Sequence, residues 1–403
     1  MKYDFTSIME RRGKDAIALD ALGTEGVPGL PKEGFDPIPM WIADMNFATA
    51  PCVTQAMAER LKHPAFGYFD PSEDYFQSII RWHKERKGTD DLTQECIGYE
   101  NGVLGGVVSA VTAFTAPGDP VLVHSPTYVG FTKSLTNCGR RLVHSPLVQD
   151  ENGVWRMDYE DMDARLKAEK IHLAVFCSPH NPCGRVWEKW EIEKAMEVYK
   201  NNDCVVISDE IWSDILLDGH THIPTQSVSE DAKNRTIALY APSKTFNLAG
   251  LVGSYHVIYN SYLRDRVRAQ AGKCHYNQMN VLSMHALIGA YSREGAEWVD
   301  ELCQVLSRNV ADACAYIEEH FKGVKVAHPE GTYMLFLDCS QWCQEHGKTI
   351  DDVLKAGWDV GVAWQDGRRF HGTCAIRANL ALPHSRVMEA LERMKTYVFA
   401  ENK

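Results

Sequence analysis

The chain has 403 residues, of which 45% are hydrophobic and 24% are charged, and its formal net charge at pH 7 is −12. This length predicts one large domain with a smaller companion, and the composition is that of a globular protein. The negative charge argues against nucleic acid and membranes as partners, because phosphate backbones and acidic lipids would repel it.

The first residues read MKYDFTSIMERRGKD and lack the apolar segment typical of a secretory signal. No apolar run reaches the roughly 18 residues of a membrane helix. We therefore expect a cytoplasmic protein whose twelve cysteines are reduced. Two near-pairs, Cys177 with Cys183 and Cys339 with Cys343, lack CxxC spacing and a companion histidine pair, so we expect no metal site.

The residues up to about 50 are rich in Gly and Pro and predict an irregular arm. Short apolar runs then alternate with longer amphipathic segments, and each run has the length of a strand and ends in a polar turn. The runs begin at Pro120, Ile171, Cys204, Thr236 and Gly253. Strands that alternate with helices and are apolar on both faces indicate a mostly parallel sheet covered on both sides. The fold class predicted is α/β, with a three-layer α/β/α large domain.

The character of the sequence changes after about residue 290. A long helical stretch is followed by KVAHPEGTYMLFLDC and TCAIRANLALP, which predict strands of a smaller α+β domain. We therefore predict three parts: an N-terminal arm that joins the small domain (1–50), a large domain (51–290) and a small C-terminal domain (291–403).

Four polar motifs follow successive strands, namely SPTY, SPHNPCGR, SDEIW and APSKTFN. In parallel sheets, ligands bind at the carboxyl ends of the strands. Taken alone, Asp209 could cap a helix, Asn181 could form a turn and Lys244 could be a surface lysine. Together with Tyr128 they supply what pyridoxal 5′-phosphate (PLP) requires: a carboxylate for the pyridine nitrogen, an amide for the phenolate oxygen, an amine for the aldehyde and an aromatic ring to stack.

The segment YENGVLGGVVSAVTAF predicts a turn at Asn101 and Gly102, then a helix beginning near Val103 and Leu104. Free backbone N–H groups at a helix start bind phosphate, and the hydroxyl of Ser243 could add a donor. The alternative is that the glycines serve only close helix packing.

These motifs resemble those of fold-type I PLP enzymes, the aspartate aminotransferase superfamily, and within it the cystathionine β-lyase-like cysteine C–S lyases. The resemblance covers nearly the whole chain. It includes the four motifs above and the segments PMWIADMNF, FGY, HIP, PEGTYMLFLD and IRANLALPHSR.

For the cofactor, the resemblance implies that Lys244 carries PLP as a Schiff base and later moves the Cα proton. It assigns the remaining cofactor contacts to Val103, Leu104, Tyr128, Asn181, Asp209, Trp212 and Ser243.

For the substrate and the assembly, the resemblance implies that Arg377 binds the α-carboxylate of an amino acid, with Asn181 and Ala43 beside it. Arginine suits this task because its planar guanidinium can bind a carboxylate through two hydrogen bonds. Tyr68 would reach the PLP phosphate of the neighbouring subunit, which implies a homodimer.

Two positions depart from the superfamily pattern. Trp212 stands where a Tyr or His usually donates to the phenolate oxygen, and an indole N–H can donate but never accept or titrate. Val129 stands where some C–S lyases carry a second tyrosine. Both differences fall around the substrate, so they bear on which substrate is used and leave the cofactor assignment unchanged.

The first hypothesis for function is α,β-elimination from cystathionine or another cysteine S-conjugate, which gives a thiol, pyruvate and ammonia. The alternative is an aminotransferase, since both reactions begin with loss of the Cα proton. A racemase and a PLP-binding regulatory protein without turnover are lesser possibilities. The intact Arg377 argues against the regulatory role, because binding PLP alone needs no carboxylate-binding group.

Overall fold

The structure is a computed structural model and describes residues 1–400. The strands in this part of the chain are β1 (Ile38–Pro39), β2 (Ile97–Asn101), β3 (Pro120–Ser125), β4 (Arg141–Pro146), β5 (Val148–Gln149), β6 (Trp155–Arg156), β7 (Leu173–Cys177), β8 (Val205–Asp209), β9 (Thr236–Tyr240), β10 (Gly253–Val257), β11 (Lys325–Val326), β12 (Met334–Asp338), β13 (Val362–Ala363), β14 (Gln365–Asp366) and β15 (Ala375–Asn379).

The helices in the same part are α1 (Ile17–Asp20), α2 (Pro51–Leu61), α3 (Glu73–Lys87), α4 (Val103–Phe114), α5 (Val129–Asn137), α6 (Tyr159–Glu169), α7 (Lys189–Asn201), α8 (Glu230–Arg235), α9 (Ser261–Cys274), α10 (Val281–Ala290), α11 (Arg293–His320), α12 (Ser340–His346), α13 (Ile350–Asp359) and α14 (His384–Tyr397).

The central sheet has the strand order β2-β10-β9-β8-β7-β3-β4. Within it, β10 runs antiparallel to both of its neighbours, and the remaining pairs are parallel. Every residue of β7 and of β9 is buried, as expected for strands with both faces covered by helices. The predicted α/β class and mostly parallel sheet are confirmed.

The two faces of the sheet pack against different helices. Val121 and Val123 belong to an apolar cluster with residues of α4, α5 and α9, whereas Leu122 between them packs with residues of α6 and α7. This alternation follows from the two-residue period of a strand, and it explains why β3 is apolar on both faces.

A second sheet of four antiparallel strands has the order β11-β12-β15-β14. The two strands predicted from PEGTYMLFLD and AIRAN are therefore confirmed as β12 and β15, and their register sets Phe336 opposite Arg377. Near the N-terminus, β1 pairs in parallel with β13, with Ile38 beside Val362. The division of the chain into an arm, a large domain and a small domain stays a prediction.

The longest helix, α11, is amphipathic rather than apolar throughout. Its buried residues recur every three or four positions, from Trp298 and Leu302 through Leu306 and Val310 to Ile317. Among residues 1–400, no helix combines the length and apolar content that a membrane crossing would require.

Candidate active site

A cavity of about 200 Å³ lies at the carboxyl ends of β7, β8 and β9. Nine of the eleven predicted site residues line it: Ala43, Val103, Leu104, Tyr128, Asn181, Asp209, Trp212, Ser243 and Lys244. A larger groove of about 1090 Å³ elsewhere on the surface is lined by none of the eleven. The convergence of residues from six separate segments makes the smaller cavity the candidate active site.

Lys244 follows β9, and its amine enters the cavity. Its Nζ donates a hydrogen bond to the backbone oxygen of Ala43 at 2.8 Å. Enclosure by protein and the positive charge of Arg377 lower the pKa of Lys244 to about 8, against the opposing pull of Asp44 and Asp209. A neutral amine, which can act as a nucleophile or a base, is therefore available close to neutral pH.

Asp209 is the last residue of β8 and is almost completely buried. Its Oδ1 accepts a hydrogen bond from the backbone N–H of Ile211 at 3.0 Å. Burial raises the pKa of Asp209 to about 7, although this hydrogen bond and the charge of Lys244 act in the opposite direction. A cation bound beside this carboxyl would stabilise its ionised form, which is what a protonated pyridine nitrogen would provide.

The neighbouring carboxyl, Glu210, takes no part in the cavity. It accepts hydrogen bonds from His222 Nε2 and from the Tyr240 hydroxyl, both at 2.7 Å, and from the backbone N–H of Thr225. These partners hold the pKa of Glu210 below its usual value despite complete burial. Of the two adjacent carboxyls, therefore, Asp209 is the one left to meet a ligand.

Arg377 lies next to the cavity and contacts it through Asn181. Its Nη1 donates to Asn181 Oδ1 at 3.2 Å, and its Nη2 donates to Gln365 Oε1 at 2.6 Å and to the Trp41 backbone oxygen at 3.0 Å. The guanidinium carbon lies 4.3 Å from the centre of the Phe370 ring. These contacts fix the orientation of the guanidinium plane.

The charge of Arg377 has no counterion in the described part of the chain. The residue is 3% exposed, its hydrogen-bond acceptors are all neutral, and its Nε has no partner. Burial accordingly lowers the pKa of Arg377 to about 10. A buried cation without a partner costs free energy, so the site favours an anion such as a substrate carboxylate.

Helix α4 begins at the edge of the cavity with Val103 and Leu104, as the sequence predicts. The preceding Gly102 has a φ of 78°, which glycine adopts without strain. At Gly106, a Cβ would lie 2.7 Å from Leu239, so close packing explains this glycine. The turn and the packing interpretations thus apply to different glycines. The start of α4, where the first backbone N–H groups lack intrahelical acceptors, borders the cavity.

Of the three predicted aromatic site residues, Tyr128 and Trp212 line the cavity and Tyr68 does not. Tyr128 precedes α5, lines the cavity and packs edge-on against Phe131. Trp212 is buried, and its indole N–H donates no hydrogen bond to any residue within 1–400. Tyr68, in the connection between α2 and α3, is fully exposed and does not line the cavity of its own chain.

Several residues of the site were not predicted from the sequence. Tyr333 donates to the backbone oxygen of Ala43 at 3.2 Å, and Asn247 holds both backbone groups of Met45. Tyr333 lies within the quoted motif PEGTYMLFLD, and Asn247 within APSKTFN, so the motifs marked the segments without indicating these contacts. The cavity is further lined by Gly102, Cys177, Ile211, Ala249, Val252 and Gly253.

Comparison with known proteins places the chain in a family. Residues 37–394 match the model of the family described as aminotransferase class I and II. The chain belongs to this family. It is 33% identical to cystathionine beta-lyase PatB of Bacillus subtilis over 395 residues, which cover 97% of this chain and 99% of PatB.

Solved structures of similar proteins extend over the same length. Cystalysin of Treponema denticola, which contains a pyridoxal 5′-phosphate cofactor, has a TM-score of 0.89 and 28% identity, with 98% of each chain covered. The PLP-bound C–S lyase of Staphylococcus hominis has a TM-score of 0.88 and 28% identity, covering 100% of this chain and 99% of the lyase. The predicted resemblance to C–S lyases is thereby confirmed.

The residues of the cavity fit PLP on the chemistry of their side chains. An amine, a buried carboxyl of raised pKa and a helix start converge there, and they match the aldehyde, the pyridine nitrogen and the phosphate of PLP. In the described part of the chain, no cluster of three or more His, Cys, Asp or Glu side chains could bind a metal ion.

Proposed function

We propose that the chain is a PLP-dependent β-lyase that acts on cystathionine or another cysteine S-conjugate and forms a thiol, pyruvate and ammonia. The observation that carries this proposal is the convergence of Lys244, Asp209 and the uncompensated Arg377 at one cavity. Near-full-length similarity to PatB, a cystathionine beta-lyase, supports elimination as the reaction. We further propose that the enzyme is a cytoplasmic homodimer.

PLP, when bound, supplies an electron-withdrawing ring that stabilises negative charge at the Cα of an attached amino acid. The carboxylate of Asp209 would keep the pyridine nitrogen protonated, and the Nδ2 of Asn181 is free to donate to the phenolate oxygen because its Oδ1 already serves Arg377. The backbone N–H groups of Val103 and Leu104 and the hydroxyl of Ser243 would bind the phosphate.

Arg377 would orient the substrate by binding its α-carboxylate, since this guanidinium has neutral hydrogen-bond partners only. Lys244 would then remove the Cα proton, because its lowered pKa gives a neutral amine near physiological pH. Loss of the Cα proton and departure of the thiolate from Cβ are the two bond-breaking events of the elimination. Water completes the reaction by releasing pyruvate and ammonia.

Transamination is the second candidate, because the family model that matches residues 37–394 is named for it. Both reactions need Lys244 to remove the Cα proton. They differ in whether a group leaves from Cβ or a proton returns to the cofactor side, and small differences in placement decide between them.

One assay separates the candidates. Purified, PLP-loaded protein is given L-cystathionine, and pyruvate, ammonia and free thiol are measured; a second reaction adds a 2-oxo acid and measures new amino acid. Elimination predicts pyruvate and thiol in equal amounts without a 2-oxo acid. Amino-acid formation that requires the 2-oxo acid, without pyruvate, would instead establish transamination. No product in either reaction would exclude cystathionine as the substrate, and the same result with a panel of other cysteine S-conjugates would contradict both candidates.

A further inference from the structure

The backbone oxygen of Ala43 accepts two side-chain hydrogen bonds inside the molecule. One comes from the Lys244 amine at 2.8 Å and the other from the Tyr333 hydroxyl at 3.2 Å. Tyr333 is completely buried and directly precedes β12, 290 positions from Ala43 along the chain. The shared oxygen therefore connects the reactive lysine to a tyrosine that no motif assigns a role.

The carbonyl of Ala43 is a fixed point because its neighbours are fixed on both sides. Asn379 Nδ2 donates to the backbone oxygens of Ile42 at 2.8 Å and of Asp44 at 2.6 Å. Asn247 Oδ1 accepts from the backbone N–H of Met45 at 3.0 Å. The Ala43 oxygen therefore stays in place when the side chain of Lys244 moves, and the positions of its two donors, Lys244 and Tyr333, are set by it.

Tyr333 also contacts Trp212, the aromatic residue beside the Lys244 amine. Its ring packs edge-on against Trp212, with 4.7 Å between ring centres and an angle of 78°. The Nζ of Lys244 lies 5.8 Å from the centre of the Trp212 ring. One side of the amine thus faces an indole ring that Tyr333 supports, and another faces the oxygen to which Tyr333 donates.

We propose that Tyr333 is a positioning residue for Lys244, which it controls through the shared oxygen of Ala43 and through the ring of Trp212. Two donors on one carbonyl oxygen weaken each other, since each withdraws electron density from the acceptor. The Tyr333 hydroxyl therefore limits how strongly this oxygen can hold the ammonium form of the lysine. The result is an amine that loses its proton readily yet stays in one place.

Other charges also face the amine. Arg377 disfavours its protonated form, whereas Asp44 and Asp209 favour it. Asp44 is itself paired with Arg11 at 2.5 Å, which reduces its effect on the lysine. None of these groups contacts Tyr333 by a hydrogen bond, so a substitution of Tyr333 tests the shared oxygen without removing a charge.

The test is Tyr333→Phe, measured on PLP-free protein so that lyase activity is not needed. The rate of PLP attachment is followed by absorbance from pH 6 to 10, with Lys244→Ala as the background. Without the competing hydroxyl, we expect the midpoint of this profile to move to higher pH by about half a unit. An unchanged midpoint, or a shift to lower pH, would overturn the proposal.

The matched control is Tyr199→Phe, which removes another buried tyrosine hydroxyl, bonded to His124 at 2.9 Å and outside the cavity. It should lower stability without moving the midpoint. If Tyr333→Phe cannot be purified, Tyr333→Met serves instead, because it also removes the hydroxyl that donates to the Ala43 oxygen and should shift the midpoint in the same direction. The inference rests on the proposed function only for Lys244 as the reacting amine, so a failed lyase assay leaves this test intact.

Discussion

Arg377 Nη1 donates a hydrogen bond to Asn181 Oδ1 at 3.2 Å, across 196 positions of the chain. This contact joins β15 of the four-stranded sheet to the turn that follows β7 of the central sheet. The residue proposed to bind the substrate carboxylate and the residue proposed to contact the cofactor ring are therefore one hydrogen-bonded unit. Movement of one sheet relative to the other would break this hydrogen bond and change the spacing of the two ligand contacts.

Replacing Arg377 by Ala should impair substrate binding while leaving PLP in place. Loss of the buried cation removes a charge-assisted contact, so we expect kcat/KM for cystathionine to fall by about 10²-fold or more. Arg377→Lys should be intermediate, because lysine keeps the charge but not the planar fork or the stacking on Phe370.

These variants are compared by steady-state kinetics together with PLP absorbance. The control is Arg308→Ala, an exposed arginine on α11, which should change neither quantity. Loss of PLP from Arg377→Ala with an unchanged KM would show that this residue serves the cofactor instead of the substrate.

The raised pKa of Asp209 predicts a pH-dependent stability in the PLP-free protein. Folding raises the pKa of this carboxyl from 3.8 to about 7, so the folded state holds the proton more tightly than the unfolded state does. The free energy of unfolding therefore falls as the pH rises from about 4 to about 7. Asp209→Asn avoids this loss. The free energy of unfolding of Asp209→Asn minus that of the native chain should therefore be about 3 kcal/mol greater at pH 8 than at pH 5.

Urea unfolding at the two pH values measures this difference. Asp265→Asn, an exposed position on α9, is the control and should show no such change. A difference between Asp209→Asn and the native chain that is the same at both pH values would mean that the Asp209 carboxyl is not destabilised by burial.

The strands, and the polar residues that follow them, were predictable from the sequence because both depend on local patterns. Apolar runs identified β3, β7, β8, β9 and β10. The polar residues that follow the four parallel strands β3, β7, β8 and β9 fell at one edge of the sheet, whereas β10 is antiparallel and ends at the opposite edge. Contacts between distant segments were not predictable, because only the tertiary structure decides how those segments are placed. Examples are the contacts of Tyr333 with Ala43 and of Arg377 with Gln365 and Trp41.

The same distinction holds for single residues. The helix start at Val103 follows from the Asn-Gly turn before it, whereas the reason for Gly106 lies in Leu239, on a strand more than a hundred positions away. The roles of the site residues toward PLP stay predictions. The structure places nine of them around one cavity, which is the geometry that those roles require.

Adjacent glycines in α4 should respond in opposite directions to alanine. At Gly105 a Cβ would meet only Asn101 Cβ at 3.6 Å, so Gly105→Ala should stabilise the PLP-free protein by about 0.5–1 kcal/mol through helix propensity. At Gly106 the Cβ would lie 2.7 Å from Leu239, so Gly106→Ala should destabilise it by about 1–3 kcal/mol. Thermal unfolding of both variants checks the pair, and equal shifts would contradict the packing described for α4.

The proposed homodimer, in which the exposed Tyr68 would reach the neighbouring site, predicts that each active site is shared between two subunits. Tyr68→Ala and Lys244→Ala should each inactivate their own homodimers. A dimer with one subunit of each kind would contain one site with both residues intact, so mixing the two after dissociation should restore activity. Failure to restore activity, with mixed dimers shown by mass spectrometry, would place Tyr68 outside the neighbouring site.

The identity of the lysine that carries PLP tests the central claim most directly. The PLP-loaded protein is reduced with borohydride and digested, and the pyridoxyl-labelled peptide is identified by mass spectrometry. We predict one label per chain, on Lys244, and the same label in the control Lys133→Ala, an exposed lysine on α5. A label on any other lysine, or on none, would contradict the assignment of the cavity and the function proposed from it.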